Sequence, residues 1–471
     1  MHDIDLSESE WAAYTFGHAE LGDVRRTRQL VHLATRAAET QSSAISRAVL
    51  TPAAREAAYR FLEQDEACSQ RVIDAACEAT AEHCARHRRV FVAIDGSSLS
   101  LADHAGTREV GHVGNWQARG RGLQTMTGLA IAETGVPIGI ADIGFWARCA
   151  PSNNKRNRPA RTTELSRALA CFENVDQRMS KLAPDCQVVY VCDRGFDAHQ
   201  CIELADEGYD FVIRATHDRR LDDGPRGGRN YLHSQLARAP QLGSYVVDVP
   251  AAPGRPARSA PVQVRACRVN IRRRSGSNLL GFTELNAVLV EEVGRRKNPI
   301  RWRLLTTLPI DTFEQVREII RAYGLRWRIE ELHRAWKDGG CRVESTQLRK
   351  RNAIIKWATI LCTVAARVLR LTHLQRETEP RPATEEFSRF EIDAAILLTQ
   401  EFGPTYRLNY EPGEVPTLAE LIRAVAMLGG WTGMYSRKKP GPTVLGRGLD
   451  RVLTSAKILE LSEKRKISTK M

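Results

Sequence analysis

The sequence lacks the patterns that mark metal clusters, membrane spans and secretion. Its eleven cysteines include no CxxC pair and no close His/Cys cluster, which argues against a structural zinc site. The twelve histidines show no ligand-like spacing. His83 and His87 are one helical turn apart, but in a basic segment without a third ligand, and they read as surface residues. No run of about eighteen apolar residues occurs, and no charged n-region with an apolar h-region opens the chain, so membrane insertion and secretion are both disfavoured. The odd cysteine count, with Cys192 and Cys362 inside apolar runs, reads as reduced core thiols in a cytosolic protein. No internal repeat is visible.

What is present points to a globular chain with a polyanionic partner. At 471 residues the chain exceeds one ordinary core, so two or three domains are expected. Apolar residues make up 42%, enough for burial, and the net charge of +13 favours nucleic acid.

Three acidic residues stand out. Asp95 closes the apolar run from Val90 to Ile94, and Asp193 closes the run from Val188 to Cys192. Both runs have strand character, and a strand ending in Asp can aim a carboxylate into a crevice at the sheet edge. The alternative for each is a turn or helix-cap residue. The third, Glu330, lies in a helical pattern from Tyr323 to Lys337. With Tyr323 at zero and about 100° per residue, Arg326, Glu330, Lys337 and Arg334 fall between about −60° and +20°. Leu325, Ile329, Leu332 and Trp336 fall between about 180° and 240°, on the opposite, core-facing side. A lone carboxylate among cations suits a divalent metal held beside phosphate oxygens. Two Asp and one Glu can bridge two Mg2+ ions about 3.5–4 Å apart for in-line phosphoryl displacement. Asp197 reads as a helix cap rather than a ligand.

The pattern along the chain suggests an order of parts. Residues 1–70 read as a small helical domain with arginines on its surface, including Arg25, Arg26, Arg28 and Arg60. A helix near 70–87 leads to the Asp95 strand, strands follow near 123–132 and 136–145, and a helix near 162–181 precedes the Asp193 strand. This alternation predicts a mixed α/β sheet. A polar loop is expected at 151–158. Residues 215–308 read as a β-rich insertion, with Gly/Arg-rich and Pro-rich loops near 224–229 and 250–261 and an exposed turn at 272–278. An apolar helix is expected over 352–374, and a Pro-containing linker over 376–386. A helical region follows from 388 to 471, broken near 437–442 and frayed after 462. Its segment 417–428 is amphipathic, and its apolar side must bury against its own domain or a second copy.

In the order Asp95, Asp193, Glu330, with Y-x2-R-x3-E-x6-K realised as Tyr323, Arg326, Glu330 and Lys337, the chain resembles the DDE cut-and-paste transposases of the bacterial insertion-sequence-four family, of the Tn-five type. Further similarity lies in Leu21 to Arg28, Ala57 to Phe61, Phe211 to Arg214, Leu285 to Leu289, Arg301 to Thr306 and Ala426 to Gly430. Gly96 and Ser97 depart from the acidic or Thr residues common after the first Asp, and Thr216 and His217 from a more basic stretch after Arg214. The resemblance implies an RNase H-like catalytic core over 71–375 with the β-rich insertion. The flanking parts it implies are a helical DNA-end-binding domain over 1–70 and a helical dimerisation region over 388–471. It also implies Asp95, Asp193 and Glu330 as catalytic metal ligands, with Mg2+ as the cofactor and Mn2+ as a substitute. Tyr323, Arg326, Arg334, Lys337 and Arg214 would contact phosphates. Trp302 would stack an extruded base, where the residues alone favour a core aromatic, and Arg25, Arg26, Arg28 and Arg60 would read the DNA end. The partners implied are double-stranded DNA, both transposon ends and target, and a second copy in a paired-end complex, with a hairpin intermediate and a cytoplasmic, nucleoid-associated location. A domesticated DNA-binding relative that no longer cuts, and an RNase H-like nuclease without strand transfer, are the competing expectations. The first is opposed by the presence of all three acids. The second is opposed by the full helix signature and the helical C-terminal region.

Overall fold

The computed structural model describes residues 10–103, 106–114, 120–148, 163–222, 228–249, 257–275, 278–294, 299–377, 379–403, 407–433 and 439–468. Ten strands form one sheet: β1 (Arg89–Ser100), β2 (Gly111–His112), β3 (Arg121–Ala132), β4 (Pro137–Trp146), β5 (Gln187–Cys192), β6 (Asp210–Arg214), β7 (Gln241–Val249), β8 (Arg258–Ser275), β9 (Asn278–Glu292) and β10 (Arg301–Thr306). Their order is β2-β3-β1-β5-β6-β10-β9-β8-β7, with β4 also paired to β3, on the edge away from β1. β1, β5 and β6 run parallel, whereas β3 and β4 are antiparallel. The path β4-β3-β1-β5-β6 is a mixed α/β, RNase H-like sheet. The expected insertion is β-rich and continues that sheet, because β10 pairs with both β6 and β9.

The parallel strands are apolar along nearly their whole length, as strands covered on both faces must be. On one face lies the helix Glu164–Leu182 and on the other the helix Arg351–Leu374 with its neighbours. Twenty-two of the 24 residues of Arg351–Leu374 are buried, which is why its sequence reads apolar all round. Even Lys356 is fully buried there; its Nζ donates to the carbonyls of Leu62, Gln64 and Asp65 at 3.2, 2.7 and 3.3 Å. It thereby satisfies carbonyls at the end of the helix Pro52–Leu62. Trp357 donates to the Ser43 carbonyl at 2.9 Å. The N-terminal helices thus dock on the same central helix as the sheet. The helix Glu66–Cys84 runs across the boundary expected at residue 70.

Several local expectations shift. The amphipathic segment forms the helix Leu418–Leu428, and its apolar side is buried within the chain against Arg389–Leu398, Arg351–Leu374 and Pro442–Ser468. No second copy is required to cover it. Backbone takes the place of side chains at the closest approach: a Cβ on Gly448 would lie 1.7 Å from the Val425 carbonyl oxygen, and one on Gly429 1.7 Å from that of Val444. The tail expected to fray after 462 remains helical to Ser468. The linker over 376–386 holds a short 3-10 turn, Ala383–Glu385, with Arg381 paired to Glu377 at 3.0 Å. Arg272 and Arg273 belong to β8 rather than to a turn, and the turn tip at 276–277 lies outside the described residues. So do the loop 151–158, most of 224–229 and 250–261, and residues 437 and 438 of the break at 437–442. All ten described cysteines are unpaired, and Cys192 and Cys362 are buried as expected.

Gly448→Ala should therefore lower stability by about 2–3 kcal/mol, since the methyl meets backbone that cannot rotate away. The urea midpoint reads this directly; an unaltered midpoint would mean that the two C-terminal helices do not pack at Gly448.

Candidate catalytic site

The sheet register builds one side of the site. Ile94 pairs with Cys192 across β1 and β5, and Cys192 with Ile213 across β5 and β6. One step further come Asp95, in mid-β1 where its pairing with β5 ends, Asp193, just past the end of β5, and Arg214, the last residue of β6. Alternation puts that row on the opposite face from Ile94, Cys192 and Ile213. It is the face of Ala93, Val191 and Val212, on which the helices Phe313–Leu325 and Trp327–Lys337 pack. Ligands of open α/β sheets bind at this end of the strands.

The helix pair supplies the other side. The pattern from Tyr323 to Lys337 is not one helix but two that meet at Arg326, which serves as the C-cap of the first and the N-cap of the second. Leu325, Ile329, Leu332 and Trp336 are buried as the periodicity requires. Arg326 reaches into the crevice. Its Nη2 donates to Glu330 Oε1 at 2.5 Å, and its Nη1 lies 3.9 Å from Asp95 Oδ2. The guanidinium thus stands between the first Asp and the Glu. Asp193 is both a neighbour of Asp95 and a cap, since its Oδ1 accepts from the Gly195 amide at 2.7 Å.

Burial pushes the Asp95 carboxyl up to about 6; Arg326 opposes the rise, and Asp193 and Glu330 add to it. The three acids therefore share one field. Lys337 donates to Ser97 Oγ at 2.6 Å, two residues beyond Asp95 on the same strand face. Burial lowers the Lys337 pKa, against the pull of Glu344, Asp338 and Asp95. Sequence reasoning missed Ser97; its i,i+2 relation to Asp95 was the available signal.

Tyr323 is 7% exposed, so the polar stripe is less open than the helical wheel suggested. Burial raises its phenol, while nearby Arg214 and Arg326 lower it. Trp302 meets Tyr323 edge-on at 5.2 Å and is half-buried rather than a core residue. Arg214 also donates to the Arg301 carbonyl at 3.5 Å. Arg334 is exposed one turn beyond Glu330. Arg25, Arg26, Arg28 and Arg60 are exposed on the helices Val24–Thr40 and Pro52–Leu62, where Arg60 pairs with Glu56 at 2.6 Å.

Two readings change. Asp197 does not cap the following helix, whose N-cap is Ala198. Its carboxylate is fully buried and accepts from the Thr216 and His217 amides and from Arg219, at 2.6, 2.8 and 2.6 Å. It fixes the turn after β6. His83 and His87 are half-buried and stacked, 6.4 Å apart; burial first, then neighbouring arginines, drive His83 down to about 3.

Three carboxylates without thiol or imidazole suit a hard divalent cation. Among the described residues no three such groups lie close enough to chelate an ion as they stand. Arg326 stands in the gap between Asp95 and Glu330. The charge coupling that raises Asp95 is what a cation would relieve, so the residues fit such a group.

Folded Asp95 keeps its proton to about 6 rather than 3.8, so the native state binds more protons in that window and loses stability as pH rises through it. Asp95→Asn should raise stability at neutral pH by about 2–3 kcal/mol and flatten the pH dependence between about 4 and 6. Thermal unfolding across pH checks this; equal wild-type and variant curves would show that Asp95 is not under strain.

Comparison with known families agrees with this geometry. Residues 8–67 match the family model described as transposase DNA-binding. Residues 155–366 match the one described as transposase DDE domain, a span that includes Asp193 and Glu330 and leaves Asp95 to the register argument. The chain thus carries a transposase DNA-binding domain followed by a transposase DDE domain, the two parts of a DDE transposase.

Proposed function

We propose that this protein is a cut-and-paste transposase of the insertion-sequence-four, Tn-five-like type, with Asp95, Asp193 and Glu330 as its catalytic carboxylates. The observation that carries the reading is the placement of Asp95 and Asp193 side by side on parallel strands, facing Glu330 across Arg326. In this reading residues 1–70 bind the terminal inverted repeats, residues 71–375 cut and join, and residues 388–471 contribute to a homodimer that pairs two ends. The setting is cytoplasmic, at the nucleoid.

The reaction is attack of water on a phosphodiester, forming a new O–P bond and releasing a 3′ hydroxyl. That hydroxyl then attacks a phosphodiester of the opposite strand, closing a hairpin and displacing the 3′ hydroxyl of the flanking DNA. Water reopens the hairpin and frees the 3′ hydroxyl again, which attacks target DNA and displaces a target 3′ hydroxyl. Divalent ions, Mg2+ or Mn2+ in its place, would lower the pKa of the attacking group and neutralise the leaving oxygen. Asp95, Asp193 and Glu330 would hold them. Arg214, Arg326, Arg334, Tyr323 and Lys337 bind the phosphates on either side of the scissile bond, and Trp302 receives an extruded base. As a phosphate takes up Arg326, Glu330 is released toward the ion site.

Two outcomes are expected. Glu330→Gln should abolish cleavage of an end duplex and leave its Kd within about twofold, because affinity comes from cations; equal loss of both in paired gel-shift and cleavage assays would assign Glu330 to folding. End binding should also weaken linearly in log–log salt plots. Arg25→Gln with Arg28→Gln should reduce that slope by about 2; an unchanged slope would place end recognition elsewhere.

A further inference from the structure

The helix pair has a second basic face that the catalytic reading does not use. Taking Tyr323 again as zero, Arg317, Arg321 and Arg328 fall between about 120° and 160°, well away from Arg326, Glu330 and Lys337. This face forms one wall of a cleft of about 1660 Å3 whose other wall is β7 and the start of β8. Arg376, just after the central helix, closes the row. At its other end the cleft opens onto Arg214, Trp302, Tyr323 and Arg326, beside the carboxylates.

The walls are joined rather than loosely apposed. Phe313 packs against Gly243, where a Cβ would come within 2.6 Å of the ring, and Tyr245 meets Phe313 edge-on at 6.2 Å. The Arg317 guanidinium lies 5.5 Å above the Tyr245 ring. The lining holds eight arginines and four carboxylates, so it is positive overall. Each of those carboxylates is already engaged: Asp248 by Ser259 at 2.8 Å, Glu314 by Arg317 at 2.9 Å, Glu318 by Arg89 at 3.5 Å, and Glu331 by His373 at 2.8 Å. Arg321 donates to the Glu133 carbonyl and Arg376 to His373 Nδ1, so neither is neutralised by those bonds. Arg328 is braced by Glu331 and by the Gly135 carbonyl, at 3.2 and 3.1 Å. Guanidinium groups held by neutral or shared partners, interleaved with an aromatic ring, form a platform for a single nucleic-acid strand.

We propose that this cleft is a single-strand DNA track leading away from the carboxylates, with Arg321, Arg328 and Arg376 on successive phosphates and Tyr245 beneath a base. It rests on the transposase reading only for the origin of the strand, which is either the flank beyond the cut or the target.

The test uses the full chain and a fluorescent oligothymidylate of about twenty nucleotides, read by anisotropy. Arg321→Gln with Arg376→Gln should weaken binding at least about tenfold and lower the salt slope by about 1.4. Tyr245→Ala should weaken the single strand but not a random duplex. An unchanged thermal midpoint certifies folding, and Arg317→Gln offers a second variant if that midpoint falls. Unaltered oligothymidylate binding in the folded variants overturns the track. The origin is read with end duplexes that carry or lack a single-stranded flank. Loss confined to the flanked duplex assigns the flank. Normal flanked binding with diminished strand transfer assigns the target, and normal results in both overturn the proposal. A wild-type chain that binds oligothymidylate yet does not prefer terminal repeats over random duplex would refute the transposase reading and leave the track standing.

Discussion

Burial of a carboxylate beside two others is the constraint around which the rest is arranged. Desolvation is the larger cause that raises the affinity of Asp95 for a proton, and the charges of Asp193 and Glu330 add to it. A shift of that size corresponds to about 3 kcal/mol, a large share of the roughly 5–15 kcal/mol by which a domain is stable. Arg326 offsets part of it by standing between Asp95 and Glu330. Its position at the junction of two helices lets one side chain reach both. The structure thus holds a charge arrangement that a cation at the carboxylates, or a proton on Asp95, would relax.

Such a site needs a frame that does not yield, and the central helix Arg351–Leu374 supplies it. Trp336, on the same helix as Glu330, donates to the Ala358 carbonyl at 3.1 Å, which fixes the signature helix against this frame. The N-terminal helices are fixed to it through Lys356 and Trp357. Gln41, left-handed at φ 45°, reaches the Gly446 carbonyl at 2.9 Å and ties in the C-terminal helix. A Cβ on Gly340 or Gly446 would lie 2.4 or 2.2 Å from its amide oxygen. The parts read from sequence as separate are packed through shared contacts, and the carboxylates inherit their rigidity from that packing.

Much of this was legible because two periods carry it. Asp95 and Asp193 were visible as carboxylates ending apolar runs, and the core face of the signature helix as a 3.6-residue repeat. Parallel pairing of β1, β5 and β6, which adds Arg214 to the row, was not, since register is a relation between distant segments. The periodicity reads through the helix break at Arg326 as one helix, although Gly324, a poor helix former, stands two residues before it. Asp197 looked like a cap because the local pattern cannot show that Arg219 will fold back onto it. The 417–428 stripe declared that it would be buried, but not by what; the answer depends on glycines some twenty residues away, which let a second helix approach.

The excess of positive charge divides in the same way. Some arginines are spent inside the chain: Arg178 on Asp142 and Asp74, Arg219 on Asp197, Arg370 on Glu386. Each is at most 14% exposed and neutralises a carboxylate that would otherwise be unpaired in the interior. These contribute to the composition but not to attraction for a polyanion. The remainder, among them Arg25, Arg28, Arg321, Arg334 and Arg376, stand exposed on helices or just beyond their ends. Net charge alone could not distinguish solubility from nucleic-acid binding. The distribution bears on it, because solubility needs no clustering, whereas Arg214, Arg321, Arg326 and Arg376 line one cleft, and Arg326 is the residue that contacts Asp95 and Glu330. In the proposed track, a field focused there would draw a DNA backbone toward acids that would otherwise repel it, and would place the attraction on groups that survive the loss of any one acid.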